Sequence, residues 1–368
     1  MALILNEEAQ MVRDTALDFF RERSPITAMR KLRDDNDPDG FSRDLWRQMA
    51  ELGWTGFLVN EDDGGSAFGM TGLTQVMEAA GRTLAATPLL STALLGASLL
   101  SIGGTKSQKA DYLPRLLAGE HITALAVDEG SRHAPDKIGM TAERDGSGYR
   151  LNGQKTFVLD GHIADTLIVA ARTGDAVTLF LVPGEAVSRT RLSMVDSRNA
   201  ALIRFDNVLV GPDAVLGGGA GVLELALDRA RVGLAAEMLG SAQEAFDRTI
   251  QYLKDRKQFG VAIGSFQAMK HRAAEMFCEV EITRSAVLAA ASALDQGSND
   301  AATLVALAKA KANDTLYLCG NEGVQMHGGI GMTDEHEIGF FMKRSRVAEV
   351  TFGDTRFCRD RYAGIMGY

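Results

Sequence analysis

The sequence predicts a mainly α-helical protein with a compact block of β-strands at its centre. Three observations predict it. Apolar residues recur at helical spacing near both ends of the chain. Strand-like runs broken by turn signals every ten residues or so fill the middle. Only 7 prolines stand among 368 residues, which favours long helices. The division falls into residues 1–120, a helical part, 121–213, the strand-rich part, and 214–368, a second helical part. Short strands confined to such a central block form a small sandwich or barrel.

In the first part, Leu5-Asn6-Glu7-Glu8 is a helix entry, with Asn6 as N-cap and acidic residues in the first turn. Met11, Val12, Ala16, Phe19 and Phe20 continue it at helical spacing. A second helix starts at Ser42 and carries Leu45, Trp46, Met49 and Leu52. Asn60-Glu61-Asp62-Asp63-Gly64-Gly65 is a loop by composition. Helical patterns resume at Thr71–Gly81 and after Pro88. In the middle part, Tyr149–Leu159 is predicted as a hairpin with Asn152-Gly153 at its tip. Asp165–Arg172 and Val177–Val182 are strands joined by Thr173-Gly174-Asp175, and Ile203–Val210 is another. In the last part, Leu223, Leu227, Ala230 and Leu234 share one face of a long helix. Gln296-Gly297-Ser298-Asn299 breaks the Ala-rich run from Ala286 to Ala312 into two helices of a bundle.

The formal net charge of -9 speaks against a general nucleic-acid or anionic-membrane binder. It leaves room for a local basic pocket around a phosphorylated cofactor, and equally it serves solubility alone. Cys278, Cys319 and Cys358 are odd in number and far apart, so neither a disulfide framework nor a zinc site is expected. The six histidines are scattered, and no metal is expected. The first residues lack a basic region followed by an apolar run, and no stretch of about 18 apolar residues is present. The expected location is therefore the cytoplasm, with no membrane span. The generic nucleotide-loop, zinc-helix and nucleophile-elbow motifs are missing, which disfavours a Rossmann-type nicotinamide enzyme.

Three constellations could carry chemistry. Arg256-Lys257-Gln258-Phe259-Gly260, followed by Gly264-Ser265-Phe266-Gln267, sits at a helix end. Arg256 there can fork onto a pyrophosphate and Phe259 can pack on an aromatic ring system, or the stretch is a helix cap with a core Phe. Gln325-Met326-His327-Gly328-Gly329-Ile330-Gly331 lets another group approach its backbone closely, or is a plain helix stop. Phe352-Gly353-Asp354-Thr355 offers Asp354 as a general base on a loop, or as a turn or cap residue.

These stretches and the helix–strand–helix layout resemble the acyl-CoA dehydrogenase family over essentially the whole chain. Arg256–Gly260 with Gln267 resembles the family's Arg-x-x-Phe-Gly stretch and its following Gln. Gln325–His336 resembles its Gln-x-x-Gly-Gly-x-Gly segment. Glu7–Phe20 resembles its first helix, Asn60–Gly65 its Pro-Glu-x-x-Gly-Gly loop, and Tyr149–Gly161 the barrel strand that faces the flavin.

The resemblance implies an N-terminal helical domain (1–120), a central β-barrel (121–213) and a C-terminal four-helix bundle (214–368). It implies FAD as cofactor and an acyl-CoA substrate. Arg256, Phe259 and Gln267 would hold the FAD of a neighbouring subunit. Gln325, Gly328 and Gly329 would line the pyrophosphate and adenosine, and Phe157 would stack on the flavin. Leu227, Asp228 and Arg231 match the helix beside the CoA thioester chain. Asp228 and Arg231 could instead form a surface i, i+3 ion pair. The implied reaction is α,β-desaturation: a carboxylate removes the α proton while the β hydrogen leaves as hydride to flavin N5. The electrons then pass to an electron-transfer-flavoprotein-like acceptor. Enolate-like charge on the thioester oxygen needs hydrogen bonds in a dry site, and desolvation strengthens the base.

The family's usual base position falls on Phe352, and its alternative position on Ala230. Asp354, two residues beyond the first, is the candidate base, a shift of about 7 Å in extended chain. Glu237 is a second candidate. The usual Glu-Pro-x-x-Gly-Ser-Asp pattern reads Glu129-Gly130-Ser131-Arg132-His133, and the usual Trp-Ile-Thr reads Phe157-Val158-Leu159. These departures resemble the small subunits of heteromeric acyl-CoA dehydrogenases, which take bulky, cyclic or dicarboxylic acyl groups. Three readings follow. The chain is a complete dehydrogenase using Asp354, as a homo-oligomer; or it is a structural, flavin-holding subunit of a heteromer with a second acyl-CoA dehydrogenase-like chain, lacking its own base; or it is a related flavoenzyme with base-free chemistry.

Overall fold

The computed structural model describes residues 4–368 and separates into two compact units. The first comprises residues up to Lys31, Met70–Ala85 and Arg231–Tyr368; the second comprises Leu32–Gly69 and Ala86–Ala230. In chain order the helices are α1 (Glu7–Arg23), α2 (Ile26–Asp34), α3 (Arg43–Glu51), α4 (Gly69–Arg82), α5 (Ala97–Gly103) and α6 (Lys106–Leu117). After the strands come α7 (Gly219–Asp255), α8 (Gln267–Asp295), α9 (Ala301–His327), α10 (Ile338–Val350) and α11 (Thr355–Met366).

In the first unit α9 packs against α8, α10 and α11. Local signals set the helix ends. The Asn6 side chain accepts from the Ala9 amide at 2.8 Å, capping α1 as the sequence predicts. The predicted break at Gln296–Asn299 separates α8 from α9, with Gly297 at φ +59°. The first turn of α4 is capped from a distance: the Asp295 carboxylate accepts from the Met70 and Thr71 amides at 2.6 and 2.8 Å. Where α4 crosses α7 the backbones nearly touch. A Cβ on Gly81 would lie 2.0 Å from the Glu237 carbonyl, and one on Gly240 1.8 Å from that of Glu78.

In the second unit, Ser42 caps α3 through the Leu45 amide at 3.2 Å, as expected. The helix predicted after Pro88 begins as a wide π-type stretch, Leu89–Gly96, before α5. The strands are β1 (Thr123–Ala126), β2 (Thr141–Asp145), β3 (Gly148–Leu159), β4 (Thr166–Thr173), β5 (Ala176–Pro183), β6 (Ser188–Arg191), β7 (Ala200–Val210) and β8 (Val215–Leu216). They form one mixed sheet in the order β6-β7-β3-β2-β4-β5-β8, with β1 parallel to β4. Among the described residues the ladder is not seen to close into the expected barrel; short β6 and two-residue β8 stand at its ends. Its core joins Ala124, Leu151, Val158, Leu167, Phe180 and Ile203.

The hairpin turn differs from the expectation. The chain reverses between Asp145 and Gly148, with Gly146 at φ +60°. Asn152-Gly153 is an irregularity inside the continuous strand β3, where the register against β7 shifts. The Asn152 side chain accepts from the Asn207 amide at 2.8 Å, so the Asn-Gly pair serves a bulge and not a turn.

Candidate functional site

In the first unit, α7 leaves into a tight hairpin of β9 (Lys257–Gln258) and β10 (Val261–Ala262). Its two-residue turn is Phe259-Gly260, with φ +54° and +80°. Such a turn favours Asn-Gly; a Phe there is conformationally costly. The Phe259 ring is 91% exposed and touches Phe266 edge-on at 6.1 Å. Arg256 and Gln267 flank it and are exposed.

The end of α9 lies beside the end of α7. The Tyr252 ring stacks on His327 at 4.3 Å and its hydroxyl donates to the His327 carbonyl at 3.3 Å. His327 Nδ1 lies 2.7 Å from the Gly323 carbonyl, and burial holds this imidazole below the ordinary histidine range. Gln325, Gly328 and Gly329 follow, all exposed. Gly328 has φ +65°, and a Cβ on either glycine would meet nothing within 4 Å. The fold thus brings the first two constellations to one end of the unit and leaves them open.

The third constellation is an ordered loop between α10 and α11. Asp354 is the N-cap of α11, its Oδ1 accepting from the Phe357 amide at 2.7 Å. Phe352 is buried at φ +56° and Gly353 follows at +119°. Arg231, wholly buried, donates from Nε to the Phe352 carbonyl at 3.0 Å and lies over the Phe357 ring at 5.3 Å. It is not on the surface, and neither are Leu227 and Asp228, so the alternative of a surface ion pair does not hold. Glu237, the second candidate base, pairs with the buried Arg344 at 2.7 Å. Ala230 is wholly buried.

In the second unit, Phe157 is half-buried at φ +53°, inside a second register shift of β3 between Lys155 and Val158. The Thr156 amide donates to the Asp128 carbonyl at 2.8 Å. Buried Lys155 donates to Glu129 Oε1 at 2.7 Å and to the Val127 carbonyl at 3.0 Å. Burial pushes the Lys155 ammonium down. It also works to raise Glu129, but the hydrogen bonds from Lys155 and the Met140 and Gly139 amides outweigh it and hold that carboxylate low. Past the strand end, buried Asp160 accepts from Ser91 Oγ at 2.6 Å, and burial raises its carboxyl to about 6.

Sequence reasoning missed Lys155, Asp160 and Lys309. The available signal for Lys309 was its place on the apolar stripe of α9, in line with Val305, Ala308, Ala312 and Leu316.

Family models match the chain in sequence order: acyl-CoA dehydrogenase N-terminal domain at residues 6–120, middle domain at 125–208 and C-terminal domain at 217–365. Mitochondrial isovaleryl-CoA dehydrogenase of Pongo abelii is 32% identical over 96% of this chain and 88% of its own length. Among solved structures, the Tcur3481-Tcur3483 steroid ACAD G363A variant is 29% identical, covers 98% of both chains and has a TM-score of 0.90. The ChsE4-ChsE5 complex from Mycobacterium tuberculosis is 25% identical, covers 100% of this chain and 99% of that one, and has a TM-score of 0.92. The fold and site define a flavoprotein oxidoreductase whose cofactor is FAD. The chain belongs to the acyl-CoA dehydrogenase family.

The residues present fit that cofactor. Within the first unit an exposed guanidinium, an exposed ring and an unobstructed Gly-Gly turn share one end, the groups a dinucleotide phosphate and ring require.

Proposed function

We propose that this chain desaturates an acyl-CoA thioester between its α and β carbons, in an oligomer of itself or with a second acyl-CoA dehydrogenase-like chain. The observation that carries the reading is Phe259: a large ring held exposed in costly backbone, beside exposed Arg256 and Gln267. That arrangement makes sense when the ring meets the FAD of a neighbouring subunit. Gln325, Gly328 and Gly329 serve the pyrophosphate and adenosine side, and Phe157 stacks on the ring system. Leu227, Asp228 and Arg231 belong to the helix that follows the thioester chain; being buried, they shape that helix from within. Domain limits of 1–120, 121–213 and 214–368 are supported by the limits of the family matches. A barrel-type middle domain is supported by the single core that its strands share.

FAD supplies the two-electron acceptor for the departing β hydrogen. The chain's own task is to take the α proton and to keep water away. Asp354 is the carboxylate on the loop where the family carries its base. Its Oδ1 is committed to the α11 cap, so the proton would go to Oδ2. An electron-transfer-flavoprotein-like partner would reoxidise the assembly, in the cytoplasm. No helix among the described residues is long and apolar enough to cross a membrane.

A second reading has its own support. Both family base positions hold buried apolar residues, Phe352 and Ala230, and a solved relative is the ChsE4-ChsE5 complex. In that reading a partner chain supplies the base. The steroid enzyme among the solved relatives supports a bulky acyl group in either case.

Purification with and without a second such chain separates the readings. A yellow protein bleached by acyl-CoA on its own supports the first; activity gained only with the partner supports the second. Asp354→Asn should keep bound FAD and lose bleaching. Retained bleaching removes Asp354 from the mechanism.

A further inference from the structure

Lys309 lies midway along α9 with its side chain wholly buried. A buried ammonium is costly unless its donors are satisfied, and here they are. Nζ donates to Asn313 Oδ1 at 2.6 Å, to the Gly353 carbonyl at 3.0 Å and to the Ala348 carbonyl at 3.1 Å, with the Glu349 carbonyl at 3.3 Å. Ala348 and Glu349 lie in the last turn of α10, whose carbonyls have no partner within the helix. The cation therefore meets the negative end of α10 and, through Gly353, the entry to α11.

Arg231 acts one residue earlier, on the Phe352 carbonyl. Two successive carbonyls in left-handed backbone thus each accept from a different buried cation. Thr351 Oγ1 adds a bond to the Val347 carbonyl at 2.7 Å, and a Cβ on Gly353 would strike the Phe357 ring at 2.4 Å. These contacts restrain the loop, and Lys309 ties it to the last turn of α10: the same ammonium holds the Gly353 carbonyl and those of Ala348 and Glu349.

We propose that Lys309 is a positioning residue for the acyl-CoA reaction: its ammonium fixes Phe352-Gly353 in left-handed backbone and so decides which way Phe352 and Asp354 present their side chains. The proposal rests on the reading that this loop borders the reacting carbons. It assigns no proton transfer to Lys309, whose side chain is wholly buried.

The test uses the assembled holoenzyme. Lys309→Met keeps the volume of the side chain and removes every donor. Two measurements are made: hydrogen exchange of the amides from Val350 to Cys358, and steady-state kinetics with acyl-CoA at known FAD content. Exchange should speed up by at least about tenfold in that segment. The kcat should fall by at least about tenfold, with KM and FAD content little changed. Asn313→Ala, which removes one acceptor and leaves Lys309 in place, should show the same pattern at about threefold; it carries the test if Lys309→Met fails to fold. Unchanged exchange overturns the proposal, as does a kcat loss no greater than the loss of bound FAD. A wild-type holoenzyme that no acyl-CoA bleaches overturns the functional reading itself, whatever the exchange shows.

Discussion

Two Phe-Gly pairs in the first unit adopt the same unusual backbone in opposite surroundings. Phe259-Gly260 and Phe352-Gly353 both carry positive φ at both residues, with the phenylalanines at +54° and +56°. Left-handed backbone costs an ordinary side chain about 1–2 kcal/mol. Phe352 is 7% exposed, and the carbonyls of its pair accept from Arg231 and Lys309. Phe259 is 91% exposed, on a two-strand hairpin whose edge contact is Phe266. At Phe352-Gly353 the chain itself holds the strained backbone in place. At Phe259-Gly260 the structure shows only the Phe266 edge contact to offset it. The difference teaches where to look: the buried strain is held by the chain's own cations, and the exposed strain is the place to test for a second molecule.

The comparison can be broken at the glycines. Gly353→Ala puts a methyl into the Phe357 ring at a φ of +119° and should cost about 3 kcal/mol in denaturant unfolding. Gly260→Ala meets open space at φ +80° and should cost about 1 kcal/mol. Equal losses would mean that the two loops are held alike.

The buried cation sharpens it next. Burial lowers Lys309 to about 8 from an ordinary 10.5. The unfolded chain therefore binds more protons between those values, and stability rises with pH across that window. Cys358, Arg231, Glu349 and Asp354 surround the ammonium. The stability difference between wild type and Lys309→Met should shift by about 2 kcal/mol in favour of wild type from pH 8 to 10.5. A flat difference in paired pH titrations of unfolding would show that the four acceptors of Lys309 offset burial and leave its pKa at the ordinary value.

Two smaller effects follow. Asp354→Ala should cost about 1 kcal/mol through the lost cap, and Asp354→Ser only a few tenths, measured by thermal unfolding. Phe259→Asn should stabilise the chain by roughly 0.5 kcal/mol, because Asn-Gly suits the turn. The same change should weaken FAD retention on dilution by about tenfold if the ring meets a neighbour's cofactor. Unchanged retention would return Phe259 to a mere turn residue.

Signals that act within a few residues were readable in the sequence. Asn6 and Ser42 cap the helices they were expected to cap, and Gly297 ends α8 where the Ala-rich pattern breaks. The runs at Asp165–Arg172, Val177–Val182 and Ile203–Val210 became β4, β5 and β7. α2 was not foreseen, being short and strongly charged. Asn152-Gly153 misled because the same dipeptide suits a hairpin tip and a bulge; only the pairing with β7 decides. The Gly-rich and Arg-Phe stretches stood out in the sequence as ends of helices, but that Tyr252 and His327 bring them together did not. The Lys309 network was hidden because three of its four acceptors are carbonyls some forty residues away, and main-chain oxygens leave no trace in a sequence.

The first unit is assembled from three separated stretches of chain, the earliest ending at Lys31 and the last beginning at Arg231. During synthesis α1 and α4 emerge long before α8 to α11 exist to receive them. Their apolar faces must wait for the stretch that begins at Arg231, so this unit closes late and with a high demand for long-range contacts. A fragment ending near Ala230 would keep every residue of the second unit and lose Glu237 and Gly240, against which α4 packs, and Asp295, which caps it.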